Sequence, residues 1–311
     1  MRFSIGITDF SWPGALAEEL TRVTMAAEDS GLDTVWVPDH LLQADPHSTA
    51  GSAMPEAYTT LGFLAGRTSR IGLGTMVSAV TFRPPALLIK AVTTLDVVSG
   101  GRARFGIGAG HHGGEARAMG LPFPPAAERF ERLEETIRLA FQMWAGDESP
   151  FEARHYRLER PIGNPRPTRR PPLLIGGTGE KKTLRLVAQY ADACNVFDIP
   201  DGGRTVRRKL DVLARHCADL ARPYEKIEKT ISTRLSPGES PQSFARRSAE
   251  FASWGIDHAV VITAGPWSPA GIETLGKAID LARSLKGHAG GLNGTLRQRS
   301  CRPLPYGARN E

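Results

Sequence analysis

Cysteine is scarce and scattered in this chain. Its three copies, Cys194, Cys217 and Cys301, are too few and too widely spaced for a disulfide framework or a structural zinc site. That usage fits a reducing cytoplasm, and Cys217, on the apolar stripe of a helical segment, reads as a small core residue. Long apolar runs are missing too: no stretch approaches the ~20 consecutive apolar residues a bilayer span requires, so no membrane segment is expected. The N-terminus, Met1-Arg2-Phe3-Ser4-Ile5-Gly6-Ile7, passes directly into a strand-like pattern with no charged, apolar and cleavable sections in series. A cytoplasmic location without export is the expectation. Excess charge is small, at +6, and segment 287–311 carries half of it, with four arginines against one glutamate. The remaining body has no basic stripe and no recognisable nucleic-acid module, so no nucleic-acid partner is expected.

What is present is an alternation. Strand-like runs fall at 3–7, 34–37, 70–77, 103–109, 172–176, 193–197, 227–235 and 258–263. Several are continuous apolar or small-residue runs such as Val35-Trp36-Val37 and Val260-Val261-Ile262, the pattern of parallel strands covered on both faces. Between them lie helical stripes, among them Phe130, Leu133, Ile137, Phe141 and Trp144, then Val206, Leu210, Leu213, Cys217 and Leu220, then Ile272, Leu275, Ile279 and Ala282. Further helices are expected at 15–29, 55–66, 85–98, 180–191 and 241–254. Eight strand–helix pairs in 311 residues predict an α/β fold, a closed (β/α)8 TIM barrel, with an open doubly wound sheet as the alternative. Two segments break the rhythm. Residues 145–171, with five prolines, are too long for an ordinary connection and read as an excursion over the surface or over the site. Residues 287–311, rich in Gly and Arg, read as a mobile tail outside a barrel domain spanning 1–286.

In a barrel, chemistry gathers where strands end at their C-termini. The second strand ends Val37-Pro38-Asp39-His40, a carboxylate beside an imidazole, a pair that also serves as a loop cap and a surface histidine elsewhere. Glycines interrupt the third strand, Gly72-Leu73-Gly74-Thr75-Met76-Val77, and the fourth, Gly106-Ile107-Gly108-Ala109-Gly110, where they mark a bulge or a close backbone approach to a ligand. The spacing of the fourth-strand glycines is not that of a dinucleotide fingerprint. His111 and His112 follow, in His111-His112-Gly113-Gly114-Glu115; neighbouring side chains point apart and no further ligand has suitable sequence spacing, so no metal is expected. The fifth strand runs into Gly176-Gly177-Thr178-Gly179 just before a helix, which reads as a phosphate cradle of backbone N–H groups or as a plain tight turn.

Together these residues resemble the luciferase-like monooxygenase superfamily, in its F420-dependent oxidoreductase branch. The resemblance runs from Met1 to about residue 286 and is carried by Glu56-Ala57-Tyr58-Thr59-Thr60-Leu61-Gly62, by Thr93-Thr94-Leu95-Asp96-Val97-Val98-Ser99-Gly100-Gly101-Arg102, by Leu121-Pro122-Phe123-Pro124-Pro125 with Glu128-Arg129-Phe130-Glu131-Arg132-Leu133-Glu134-Glu135, and by Leu174-Ile175-Gly176-Gly177. It implies a barrel whose mouth holds a deazaflavin or flavin ring against a non-prolyl cis peptide at Met76-Val77. It places Asp39, Thr75, Met76, Val77, Gly108, Ala109, Gly110, Gly176, Gly177, Thr178 and Gly179 at the cofactor. It makes His40 the proton acceptor, with His111 as a second candidate whose structural role is equally open. Two positions depart from F420-dependent sugar-phosphate dehydrogenases: Ala44 stands where those carry Trp, and His111 where they carry a Glu acid. Sugar-phosphate oxidation is therefore not expected. The resulting expectation is an enzyme that moves a hydride between coenzyme F420 and a small organic substrate, as a homodimer served by a separate F420 or flavin reductase. The alternatives are a two-component monooxygenase using reduced FMN and a non-catalytic flavin-binding barrel.

Overall fold

The structure, a computed structural model, describes residues 1–44 and 48–295. The first half of the chain alternates β1 (Arg2–Gly6), α1 (Leu16–Asp29), β2 (Thr34–Asp39), α2 (Ala57–Ala65), β3 (Gly72–Ala79), α3 (Pro85–Val98) and β4 (Ala103–Gly108). A short helix α4 (Gly113–Ala118) and a long one, α5 (Ala126–Ala145), follow. A two-stranded antiparallel hairpin, β5 (Phe151–Glu152) and β6 (Arg157–Leu158), precedes β7 (Leu173–Ile175), α6 (Thr183–Tyr190), β8 (Ala193–Phe197) and α7 (Arg204–Asp219). The chain then runs through β9 (Glu228–Arg234), α8 (Pro241–Ser253), β10 (His258–Ile262) and α9 (Pro269–Thr295). Eight strands, all but the hairpin pair, close into one parallel barrel in the order β1-β2-β3-β4-β7-β8-β9-β10. All eight expected strands are among them, so the open-sheet alternative is excluded.

The reason for closure is visible in the burial. Every residue of β2 is buried, because side chains facing out meet helices and those facing in meet the opposite wall. Trp36, Leu174, Ala193 and Val260 fill the interior, with Met76 and Val77 packed on them. Outside, the stripe of α5 buries Leu133, Ile137, Ala140 and Trp144, and the Trp144 indole N–H donates to Thr93 Oγ1 at 2.8 Å. α7 buries the expected Val206, Leu210, Leu213 and Cys217.

The excursion 145–171 lies on the surface, not over the mouth. Phe151 is buried in the core beside α5, and Glu135 of that helix accepts the backbone N–H groups of Arg154 and His155. The expected tail begins within α9, which is helical to Thr295; residues 296–311 lie outside the described residues. Among the described residues no helix is long and apolar enough to cross a membrane.

The N-terminal end of the barrel is plugged by charge. His258 Nδ1 donates to Glu228 Oε1 at 2.7 Å, and the Ser4 hydroxyl hydrogen-bonds His258 Nε2 at 2.6 Å. Arg2 bridges Glu228 and Asp33, and Arg104 reaches Asp33 at 3.4 Å. Burial would raise the Glu228 carboxyl, but the hydrogen bond from His258 and the charges of His258 and Arg2 outweigh it and hold it below its ordinary value. A void of only about 30 Å³ remains at this end.

Candidate active site

At the opposite end the barrel opens into a cavity of about 1150 Å³, lined by the C-terminal ends of all eight strands. Its first wall explains the glycines. β3 changes register against β2 and β4 near its end, and the Met76-Val77 peptide there is cis. Val77 is thereby set against β4 and β7. A Cβ on Gly106 would fall 1.8 Å from the Thr75 carbonyl oxygen, and one on Gly176 would fall 2.6 Å from Val77 Cγ2. These glycines admit a neighbouring strand, which answers the choice between bulge and ligand contact in favour of the bulge. Thr75 belongs to that packing and does not line the cavity: it is fully buried, and its hydroxyl donates to the Gly106 carbonyl at 3.0 Å. Met76, Val77, Gly108, Ala109 and Gly110 do line it.

The second wall carries the titratable groups. Asp39 borders the cavity with its carboxylate already engaged: Arg83 Nη1 and Nη2 donate to its two oxygens at 2.6 and 2.9 Å, and Nη2 also reaches Glu56. Those two carboxylates raise the Arg83 guanidinium above its ordinary value against the opposing effect of burial. Asp39 thus has a structural partner that the sequence reading missed, lying 44 residues downstream.

His40 is held by a residue quoted in the sequence but not singled out. Glu115, fully buried on α4, accepts from His40 Nδ1 at 2.7 Å and from the backbone N–H groups of Leu41 and Leu42 at 2.5 and 3.1 Å. Burial acts to raise the Glu115 carboxyl, and the hydrogen bonds from His40, Leu42 and Leu41 more than reverse it, keeping the group ionised at neutral pH. An ionised carboxylate only accepts, so Nδ1 carries the imidazole proton and Nε2 is left as the acceptor nitrogen. His111 and His112 stand edge-on to His40, with ring centroids 5.8 and 5.7 Å away. Burial, then the nearby His40 and His112, lower the pKa of His111, so it is neutral at pH 7. The chain therefore brings together His112, Glu115 and His40, whose ligand atoms lie within 4.8 Å of one another, a grouping that sequence spacing concealed.

The third wall is the glycine turn after β7. Gly176, Gly177, Thr178 and Gly179 all border the cavity, and Gly177 has φ +104°, a conformation that disfavours any residue with a Cβ. Thr183, the first residue of α6, borders the same space. Arg129 of α5 lies nearby over Phe123, donates to the carbonyls of Ala109 and Pro124, and has no carboxylate within 4.0 Å among the described residues. The fourth wall, absent from the sequence reading, is polar: Asn195 donates to Ser232 at 3.0 Å, and Arg247 ties Asp198 to Glu239. Phe197, half exposed, borders this side.

A family model described as luciferase-like monooxygenase matches residues 1–295. An F420-dependent glucose-6-phosphate dehydrogenase of Kineococcus radiotolerans is 34% identical over 236 residues, covering 74% of this chain and 66% of that protein. One of Beutenbergia cavernae is 30% identical over 274 residues, covering 86% and 77%. The chain thus spans just under two thirds of the first relative's length and more of the second's. Among solved structures, an F420-dependent secondary alcohol dehydrogenase in complex with an F420-acetone adduct superposes with a TM-score of 0.75 at 18% identity, covering 91% of this chain and 99% of that one, a likeness of fold. With a model matched along nearly its whole length, and the closed barrel that the sequence motifs implied, the chain belongs to the luciferase-like monooxygenase family.

Proposed function

We propose that this chain is an F420-dependent oxidoreductase that moves a hydride between the deazaflavin and a small organic substrate. The observation that carries the reading is the His40–Glu115 pair at the lip of a large cavity whose facing wall is a glycine turn at a helix start. The site fits such a cofactor: Gly177, Thr178 and Gly179 border the cavity where their backbone N–H groups would meet a phosphate, the Thr183 hydroxyl lies beside them, and Arg129, with no carboxylate within 4.0 Å among the described residues, borders the same cavity. Residues 177–179 and Thr183 would hold the phosphate, Gly176 serving the strand packing since its N–H donates to the Ile107 carbonyl at 2.9 Å, while Met76 and Val77 would back the ring and Ala109 and Gly110 would line its edge. When bound, coenzyme F420 supplies the two-electron acceptor or donor for the hydride.

The protein's own part is the proton. His40 Nε2 takes the proton that a substrate hydroxyl releases on oxidation, or returns it on reduction, and Glu115 fixes the tautomer and steadies the imidazolium that forms. The relatives' names point to glucose 6-phosphate, but Ala44 and His111 stand at the two positions where this chain departs from sugar-phosphate dehydrogenases. The reading is therefore a substrate other than a sugar phosphate. Leu87 and Val98, exposed on one face of α3, support a homodimer, and the buried free thiols of Cys194 and Cys217 suit a cytoplasmic setting in which a separate reductase recycles the cofactor.

Calorimetric titration with F420 and with FMN, each oxidised and reduced, tests the reading. Tighter binding of F420, followed by F420 reduction or oxidation with a panel of alcohols, carbonyls and imines, is the expected result. Binding of FMN alone, with oxygen consumption, would replace it by the monooxygenase reading; binding without turnover would leave a flavin-binding barrel.

A further inference from the structure

We infer that His40, His112 and Glu115 form a binding site for a divalent transition-metal ion of the zinc class, and that occupation of this site silences His40 as a base. The second half of the inference rests on the proton role proposed for His40; the first half stands on geometry alone.

Two imidazoles and one carboxylate are the ligand set that borderline-soft cations prefer, and a fourth position left open suits a site facing solvent. The ligand atoms lie within 4.8 Å of one another. Glu115 Oε2 is the common neighbour, 2.7 Å from His40 Nδ1 and 3.5 Å from His112 Nδ1. Ligands at about 2.0–2.2 Å from a tetrahedral zinc stand roughly 3.3–3.6 Å apart, so the two contacts of Glu115 bracket what is needed and the two imidazole nitrogens, within 4.8 Å of each other, close the triangle by a shift of His112. The adjustment falls on the mobile partner: the His112 side chain is about half exposed, whereas Glu115 is anchored through its other oxygen by the N–H groups of Leu41 and Leu42. That anchoring is the outer support a metal carboxylate requires.

The consequence for His40 follows from its two nitrogens. Without metal, Nδ1 carries the proton and donates a hydrogen bond to Glu115, leaving Nε2 as acceptor. A cation bound at Nδ1 displaces that proton, and the neutral ring then holds it on Nε2. The nitrogen that should take a proton from substrate becomes a donor. No redox change is involved, and one cation displaces one proton within a single ring.

The test uses the full chain stripped with a chelator and titrated with Zn²⁺ by calorimetry, with Co²⁺ as a spectroscopic probe. One ion per chain and the visible absorption of four- or five-coordinate cobalt are expected. H112A, at an exposed position, should weaken Zn²⁺ binding by at least roughly 100-fold, beyond the range seen when a group that merely orients a ligand is lost. E115Q should do likewise, and H155A, which removes the His155–Glu131 contact outside the cavity, should bind as the parent does. Binding that H112A and E115Q leave unchanged would overturn the site. Both readouts need no cofactor, so they stand whether the chain uses F420 or FMN. Once the true substrate is in hand, Zn²⁺ at saturating level should abolish turnover in the parent and spare it in H112A; full turnover by the zinc-loaded parent would overturn the silencing.

Discussion

Two histidine–glutamate pairs of the same length sit at opposite ends of the barrel, and they are built for opposite purposes. His258 and Glu228 meet at 2.7 Å in the plugged N-terminal end, and His40 and Glu115 meet at 2.7 Å at the mouth. In both, a carboxylate held below its ordinary value accepts the hydrogen bond of the imidazole Nδ1. The difference is what meets Nε2. At the plugged end the Ser4 hydroxyl occupies it and His258 is 2% exposed; at the mouth His40 borders a cavity of about 1150 Å³. A His–carboxylate pair therefore does not by itself mark a base, since access to the second nitrogen decides, and only one end provides it.

The sharpest way to break this comparison is to truncate each imidazole in turn. His40→Ala should lower single-turnover reduction or oxidation of bound cofactor by roughly 10²–10⁴-fold while the fold and cofactor affinity are largely kept. His258→Ala should do the reverse, costing about 1–3 kcal/mol in denaturant unfolding by removing one of the two partners of Glu228, with turnover per folded molecule near that of the parent. Similar losses of turnover in both variants would show that the two ends are not separable. A smaller effect is expected at the facing wall of the mouth. Gly177→Asp places a Cβ at φ +104° and a carboxylate where an anion should sit, so cofactor affinity should fall roughly 10–100-fold by calorimetry with little change in the plugged end. Unchanged affinity for both F420 and FMN would remove the cradle.

The smallest effect is a pH dependence shared by both ends. Glu228, Asp33 and Glu115 all have folded values below their unfolded ones, so their contribution to stability is complete above about pH 4.3 and is lost as pH falls through the folded values. Unfolding followed from pH 6 downward should show stability declining below about pH 4.5, and E228Q should flatten part of that decline. A parallel decline in E228Q would assign the whole acid sensitivity to other groups.

The barrel was legible because its signals are local. Runs such as Val260-Val261-Ile262 and stripes such as that of α7 state their own periodicity, and each strand fell where its run predicted. The glycines of β4 and β7 were legible as close approaches, though what approaches is Val77 and the Thr75 carbonyl. The partners in the site were not legible. Glu115 follows His40 by 75 residues and Arg83 follows Asp39 by 44, separations that carry no sequence period and are closed only when β2, β3 and β4 lie side by side. Arg247 and Asn195 escaped for the same reason, as polar residues in elements whose apolar positions gave the only periodic signal. The single local clue to Glu115 was the acid three residues after His112, at the start of a helix too short to show a stripe.

That short helix has a mechanical consequence. Through one carboxylate α4 grips an imidazole and two successive amides of the segment leaving β2, so it works as a strut between two loops of different βα units. Removing the carboxylate altogether cuts the strut and the proton relay together, whereas an amide in its place keeps an acceptor for the Leu41 and Leu42 N–H groups. The stiffness of the mouth and the tautomer of its histidine are thus set by the same side chain, and a change in sequence that alters one alters the other.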